Sequence, residues 1–216
     1  MIPFSEDTVA FLRDLSSNNS RDWFHANKKR YETSVKAPAA DVSAALADEV
    51  AHLTDTPHKA KIFRINRDVR FSKDKTPYNT HIHIALSPEE GGGVAPMWFF
   101  GLDTQKLVLG AGVFEFPKDR LDSWRERVAD DDGADLLTIL NGLRANGARV
   151  AEPSLKRVPK PWSSDHPHED LLRRKGLSVW IDLPDTSMAL GADAPARCAK
   201  TFETLLPVVR WLNKPV

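Results

Sequence analysis

Between Lys61 and Lys75 the chain sets six basic residues (Lys61, Arg64, Arg67, Arg70, Lys73 and Lys75) against two acidic ones, Asp68 and Asp74. The local excess is about +4, in a chain whose formal net charge is zero. Guanidinium forks suit phosphate or carboxylate, and lysines add point charge. Arg64, Arg67, Arg70, Lys73 and Lys75 could therefore converge on one anionic ligand, with Tyr78 as a wall or hydrogen-bond partner. No nucleophile accompanies them. Asp68 or Asp74 could serve as a general base, but a carboxylate among arginines has a lowered pKa and is a poor base near neutrality. The stretch speaks for binding a phosphate- or carboxylate-bearing molecule more strongly than for catalysis, and leaves open whether the protein is an enzyme.

The apolar residues of this stretch qualify the reading. Phe63, Ile65, Val69 and Phe71 are interleaved with the charges at period two, the pattern of a half-buried strand. Ser72 to Tyr78 reads as a turn, with Pro77 setting φ and Asp74 able to accept from nearby amides. On this alternation Arg67 falls on the apolar face unless a bulge at Asn66-Arg67 re-aims it. A buried guanidinium needs a partner, because its desolvation costs several kcal/mol. The rival to a ligand cleft is therefore an internal lattice, with Arg67 on a buried carboxylate and Arg70 on Asp68 or Asp74.

Other constellations are sparser. His81 and His83, at i and i+2 on a strand, point to one side and could ligate a metal, with Asp165, His166 or His168 as a third ligand. This is the metal-enzyme alternative. The Asp165-His166 pair could also be a proton shuttle, although a dipeptide before Pro167 more often begins a helix. Asp130 to Asp132 lack the glycine-punctuated spacing of a calcium loop and read as a solvated helix start. Cys198, among apolar helical neighbours, reads as inert core. The chain has no phosphate-binding glycine loop, no G-x-S-x-G and no H-E-x-x-H. A nucleic-acid module is a further alternative, since basic residues with Phe63, Phe71 and Tyr78 could form a stacking platform. Against it, the phenylalanines alternate onto the face expected to be buried, and the whole-chain pI is about 7.1. A protein-interaction module, in which the basic stretch is structural, is the last.

Several runs together carry a family resemblance. They are Asn18-Asn19-Ser20-Arg21-Asp22-Trp23-Phe24, then Lys28 with Tyr31, then Phe63-Arg64-Ile65 with Arg67 to Lys75 and Pro77-Tyr78. Gly110-Ala111-Gly112 and Asp165-His166-Pro167 before Leu171-Leu172 continue the series. In these the chain resembles the domain of unknown function 2461 family over nearly its whole length. That family is uncharacterised, so the resemblance implies one full-length domain, residues 1–216, and no catalytic assignment.

The remaining sequence positions these groups. Its 216 residues, 41% hydrophobic and 28% charged, suit an ordinary soluble globular chain able to bury a core. A lone cysteine excludes an intrachain disulfide and a Cys-rich zinc site. Met1 to Leu15 lacks a signal-peptide core, and no run approaches the ~20 apolar residues of a membrane span. The expectation is a cytoplasmic protein without membrane contact.

Helices are expected over Ser5–Leu15, from Asn19 or Ser20 to about Val35, and from Pro38 to Thr54, where Val42, Leu46, Val50 and Leu53 form a stripe. Arg21, Lys28, Lys29 and Arg30 read as a solvated face. Strands follow at the basic stretch, His81–Leu86, Trp98–Leu102 and Lys106–Phe116, with a glycine-rich turn over Glu89–Gly93. Gly110 and Gly112 leave a bare patch for a packed helix. Helices Lys118–Ala129 and Ala134–Ala145 come next, then an edge strand or extended loop over Leu155–Pro161. A short helix, Glu169–Lys175, a strand, Leu177–Leu183, and a last helix, Ala196–Lys214, with a kink at Pro207, complete the chain. Helices first, strands clustered in the middle and short connections predict an α+β fold: an antiparallel sheet of about five or six strands with N-terminal and C-terminal helices packed on it.

Overall fold

The computed structural model describes residues 1–90 and 95–214. Gly91 to Gly93 of the expected glycine-rich turn lie outside the described residues. The fold is α+β. Six strands, β1 (His58–Ile62), β2 (Ile82–Pro88), β3 (Met97–Leu102), β4 (Leu107–Val113), β5 (Arg149–Val150) and β6 (Leu177–Leu183), form one antiparallel sheet in the order β1-β2-β3-β4-β6-β5. The sequence leaves Leu155–Pro161 as an edge strand or an extended loop. That segment is irregular, and the last position in the sheet is taken by the two-residue β5.

The chain divides into two compact units, the first comprising residues 1–89, 99–109 and 182–201 and the second residues 90–98, 110–181 and 202–216. In the first unit, helix α1 (Glu6–Ser17) starts at Ser5, which forms a capping box with Thr8. It buries Val9, Phe11, Leu12 and Leu15. Helices α2 (Arg21–Ala26) and α3 (Lys28–Tyr31) follow, then a π-helical turn (Glu32–Lys36) and α4 (Ala37–Thr54). The sequence breaks the helix before Pro38, yet the helical path continues through it. Pro38 has no N–H, and its ring crowds the Ser34 carbonyl, so an ordinary i→i+4 bond there is impossible. The chain widens instead: Ala37 N–H donates to Glu32 O, five residues back, and the Thr8 hydroxyl donates to the freed Ser34 carbonyl at 2.6 Å. Helix α4 then lays Val42, Leu46 and Val50 against β1 and β2, as its stripe predicts.

The largest departure concerns the basic stretch. The strand is His58–Ile62, and residues 63–80 are irregular, apart from one antiparallel bridge between Asn66 and Tyr78. Pairing of β1 with β2 runs from His58 opposite Pro88 to Ile62 opposite Ile84, and Phe63 N–H still donates to His83 O. Beyond that point two carboxylates compete for the backbone. Asp68 accepts from the Arg70 amide at 3.2 Å and Asp74 from the Thr76 amide at 2.9 Å. Such turns displace a ladder. Of the four apolar residues assigned to one buried face, only Ile65 is buried. Phe63 is 48% and Phe71 96% exposed.

In the second unit, α5 (Lys118–Ala129), α6 (Asp131–Ala145), α7 (Glu169–Leu172) and α9 (Leu206–Asn213) pack on one another around Trp124, Leu136, Leu140 and Trp211. The bare patch at Gly110 and Gly112 is filled by β6, not by a helix. A Cβ on Gly110 would lie 2.3 Å from the Trp180 ring, and one on Gly112, at φ +137°, would lie 2.1 Å from Leu177 O. The last expected helix is two: α8 (Ala194–Glu203) and α9. The break falls before Pro207, which sits in the first turn of α9, where its missing N–H has no cost.

Candidate functional site

The structure separates the basic residues that the sequence grouped. Arg67 Nη1 meets Asp74 Oδ2 at 2.6 Å and also donates to the Thr76 carbonyl and hydroxyl. Arg70 grips Asp68 with two nitrogens, at 2.7 Å and 3.0 Å. Lys75 Nζ donates to Val69 O at 3.0 Å. Three of the five cations thus fasten the loop that carries them. The lattice differs from its expected form in one respect: Asp74 and Asp68 are exposed, not buried. The amide and hydroxyl of Thr76, with Arg67, lower the Asp74 carboxyl to about 2. Arg70 likewise holds Asp68 low. Tyr78 is 5% exposed, its ring stacked on Phe24 at 4.1 Å between centroids. Asn19 fixes its backbone by accepting from the Tyr78 amide and donating to its carbonyl.

Arg64 and Lys73 are different. Among the described residues neither side chain has a hydrogen bond or an ion pair, although Asp68 feels the Arg64 charge. Arg64 lines two adjoining hollows of the first unit. The larger, about 540 Å³, runs from the helical layer to the end of β1. Its walls are Phe24, Tyr31 and Val35 on one side and Ile62, Phe63 and Ile65 on the other. Lys28 lines it too, exposed as the sequence suggested and without a partner among the described residues. Lys36, at the same wall, is neutralised by Glu32 at 2.9 Å. Burial, with Glu32 beside it, raises the Tyr31 phenol, which keeps its proton and can donate. The π-helical turn contributes Glu32, Val35 and Lys36 to this wall. Such turns recur at functional sites. Arg30, read from sequence as solvated, instead bridges Asp7 and Asp14 and fastens α3 to α1.

The smaller hollow, about 340 Å³, is lined by Arg64, Arg67, Asp68, Asn66, Asn79, Phe63 and the two histidines. The rings of His81 and His83 stack at 3.9 Å and 26°. Gly101 makes room for His83, since a Cβ there would lie 3.1 Å from its Cδ2. Burial lowers both imidazoles, His83 to about 4 with the help of the neighbouring His81. Among the described residues no three His, Cys, Asp or Glu side chains gather closely enough to hold an ion. His166 and His168 are used locally in the second unit: the His168 amide donates to His166 Nδ1, and His168 Nδ1 lies 2.8 Å from Val128 O. Cys198 is buried and its thiol is pushed up to about 12, which makes it inert.

A third hollow, about 710 Å³, lies in the second unit along Asp130, Asp131 and Asp132. There Asp132 is held by Arg127 at 2.7 Å and Lys214 at 3.8 Å. The run forms the start of α6, as expected from its spacing. Among the described residues no helix is long and apolar enough to cross a membrane.

Comparison with known families decides the affiliation. A family profile described as a conserved hypothetical protein, DUF2461, matches residues 7–211 of the 216. The chain belongs to the DUF2461 family. No curated protein matches it. Membership spans both units of this DUF2461 chain, including the basic loop and both Arg64 hollows.

Proposed function

We propose that this protein binds an organic anion, a phosphate or carboxylate on an apolar body, in the larger Arg64 hollow. One observation carries the reading. Of the basic residues on the 63–78 segment, Arg67, Arg70 and Lys75 are consumed within the loop, whereas Arg64 opens onto a cavity with no counter-charge of its own. Arg64 is the principal cation and Lys28 the second. Phe24, Tyr31, Val35 and Phe63 would take the apolar body, and the Tyr31 hydroxyl is a further donor. An unpaired guanidinium beside apolar walls favours a charged group attached to an aromatic or aliphatic body over a bare inorganic ion, because the body displaces water from those walls. Arg67 borders only the smaller hollow, and Arg70, Lys73, Lys75 and Tyr78 border neither. The charges of Arg67, Arg70, Lys73 and Lys75 raise the local potential beside Arg64.

The test is thermal stability of the parent and of Arg64→Ala with inorganic phosphate, phenyl phosphate, benzoate and nucleotides. A fitting anion at about one hundred times its Kd stabilises by ~2.7 kcal/mol, roughly 5–10 °C in a chain of this size. The expected result is a rise with aromatic anions in the parent, a smaller one with inorganic phosphate, and none in Arg64→Ala. Equal rises in both proteins would place the anion elsewhere, and no rise in the parent would overturn the reading.

A further inference from the structure

One of the two sequence arguments against nucleic acid was that Phe63 and Phe71 would be buried, and they are not: they are 48% and 96% exposed. A single exposed phenylalanine is ordinary. Here two recur with the same companion. Lys61 Nζ lies 5.3 Å from the Phe63 ring centroid, and the Arg70 guanidinium lies 5.9 Å from that of Phe71. Both rings are on a segment with a net charge of about +4, and its acidic residues, Asp68 and Asp74, are already engaged by Arg70 and Arg67. Arg64 and Lys73 add cations without a partner among the described residues. The loop between Arg67 and Thr76 is cross-braced by Arg67–Asp74 and by Lys75 to Val69 O, so Phe71 is held out by a preformed turn.

We propose that this basic, aromatic segment docks single-stranded nucleic acid, with bases stacking on Phe71 and Phe63 and phosphates meeting Lys61, Arg64 and Lys73. The argument is charge complementarity joined to ring exposure. Base stacking on an aromatic ring tolerates any sequence, and a cation beside each ring suits the phosphate beside each base. An anionic membrane would be served by the charge but less well by the tip, where the one fully exposed apolar residue stands between Arg70 and Ser72. A duplex would satisfy the cations but leave the rings without bases to stack on.

Arg64 and Phe63 also line the hollow proposed for the organic anion, whereas Phe71 and Lys73 line neither hollow, so variants at those two positions test this proposal apart from that one. The test is fluorescence anisotropy of a labelled single-stranded oligonucleotide of about ten nucleotides, within the ~4–16 that compact single-strand binders cover. The full chain, Phe71→Ala and Lys73→Glu are compared, with duplex and anionic phosphatidylserine vesicles as competitors. Binding should weaken with salt at a log–log slope of about −2, as three neutralised phosphates would give. Phe71→Ala should weaken it roughly 5- to 100-fold with an unchanged melting temperature. Lys73→Glu should weaken it and make the slope shallower. Three results would overturn the proposal: no binding by the parent, a Phe71→Ala variant that binds as well as the parent, or preference for duplex or for vesicles over the single strand.

Discussion

Two arginines, Arg174 in the second unit and Arg64 in the first, show how differently one side chain can be used. Arg174 is 1% exposed. Its Nε and Nη2 reach Asp170 Oδ2 at 3.2 Å and 2.7 Å, and its Nη1 donates to Ala151 O. All three nitrogens of its fork are met by protein, and the residue ties the segment just after β5 to α7. Arg64 is exposed, its backbone carbonyl is fixed by Asn79 Nδ2 at 3.2 Å, and its guanidinium is met by nothing among the described residues. Arg67 stands between them: partly buried, but paired with an exposed carboxylate seven residues on in its own loop rather than with the core. The difference teaches that charge density alone does not identify a binding residue. What matters is whether the fold supplies the counter-charge.

The comparison is most sharply tested at Arg174. Arg174→Ala should cost about 3 kcal/mol in a denaturant titration, the low end for breaking a buried pair. Asp170 is partly solvated and keeps weaker contacts with Arg173 at 3.9 Å and Arg144 at 4.0 Å, which softens the loss. A change below ~1 kcal/mol would mean that the pair is not holding the second unit.

Arg67→Ala should lower the melting temperature by no more than roughly 4 °C, because its partner is solvent-screened. The greater effect is on order: amides of residues 68–76 should exchange faster with solvent in a hydrogen-exchange experiment. Unchanged exchange would show that the loop does not need this brace. Arg64→Ala, at the end of the series, should leave the melting temperature within about 1 °C and change only the response to anions. A large destabilisation there would make Arg64 scaffold like Arg174.

Acid provides a separate contrast between the histidine stack and the loop carboxylates. His83 is lowered from 6.5 to about 4 in the folded protein, mainly by burial. The unfolded chain therefore takes up this proton first, so stability falls as pH drops from about 6.5 towards 4 and the loss is complete below that window. Asp74, lowered from 3.8 to about 2, stabilises above about 3.8 and loses that contribution as pH falls through 2. His83→Gln should flatten the first window and leave the second. Nuclear magnetic resonance of the His83 ring should show a midpoint near 4, and a midpoint near 6.5 would mean that the stack is open to water.

Sequence periodicity determined the elements whose burial is simple. The α4 stripe, the alternation of β2 and the inert burial of Cys198 all followed from it, because each depends on one face meeting one core. Residue types also singled out the basic stretch, since a local excess of cations is a property of composition. Tertiary structure alone decided the rest. Whether Phe63 to Phe71 is a strand depends on a partner strand, and β2 ends its pairing at Phe63, after which Asp68 and Asp74 take the backbone into turns. Gly110 faces Trp180 because β6 passes there, 67 residues on from β4's own Val113 to Trp180, a separation no local pattern encodes. The π-helical turn arises from Pro38, yet its accommodation needed the Thr8 hydroxyl of another helix. The counter-charges of Arg67 and Arg70 lie two to seven residues away and could be named in advance, but that Arg64 would have none, and would open on a hollow walled by Lys28 and Tyr31, depended on residues brought together only by folding.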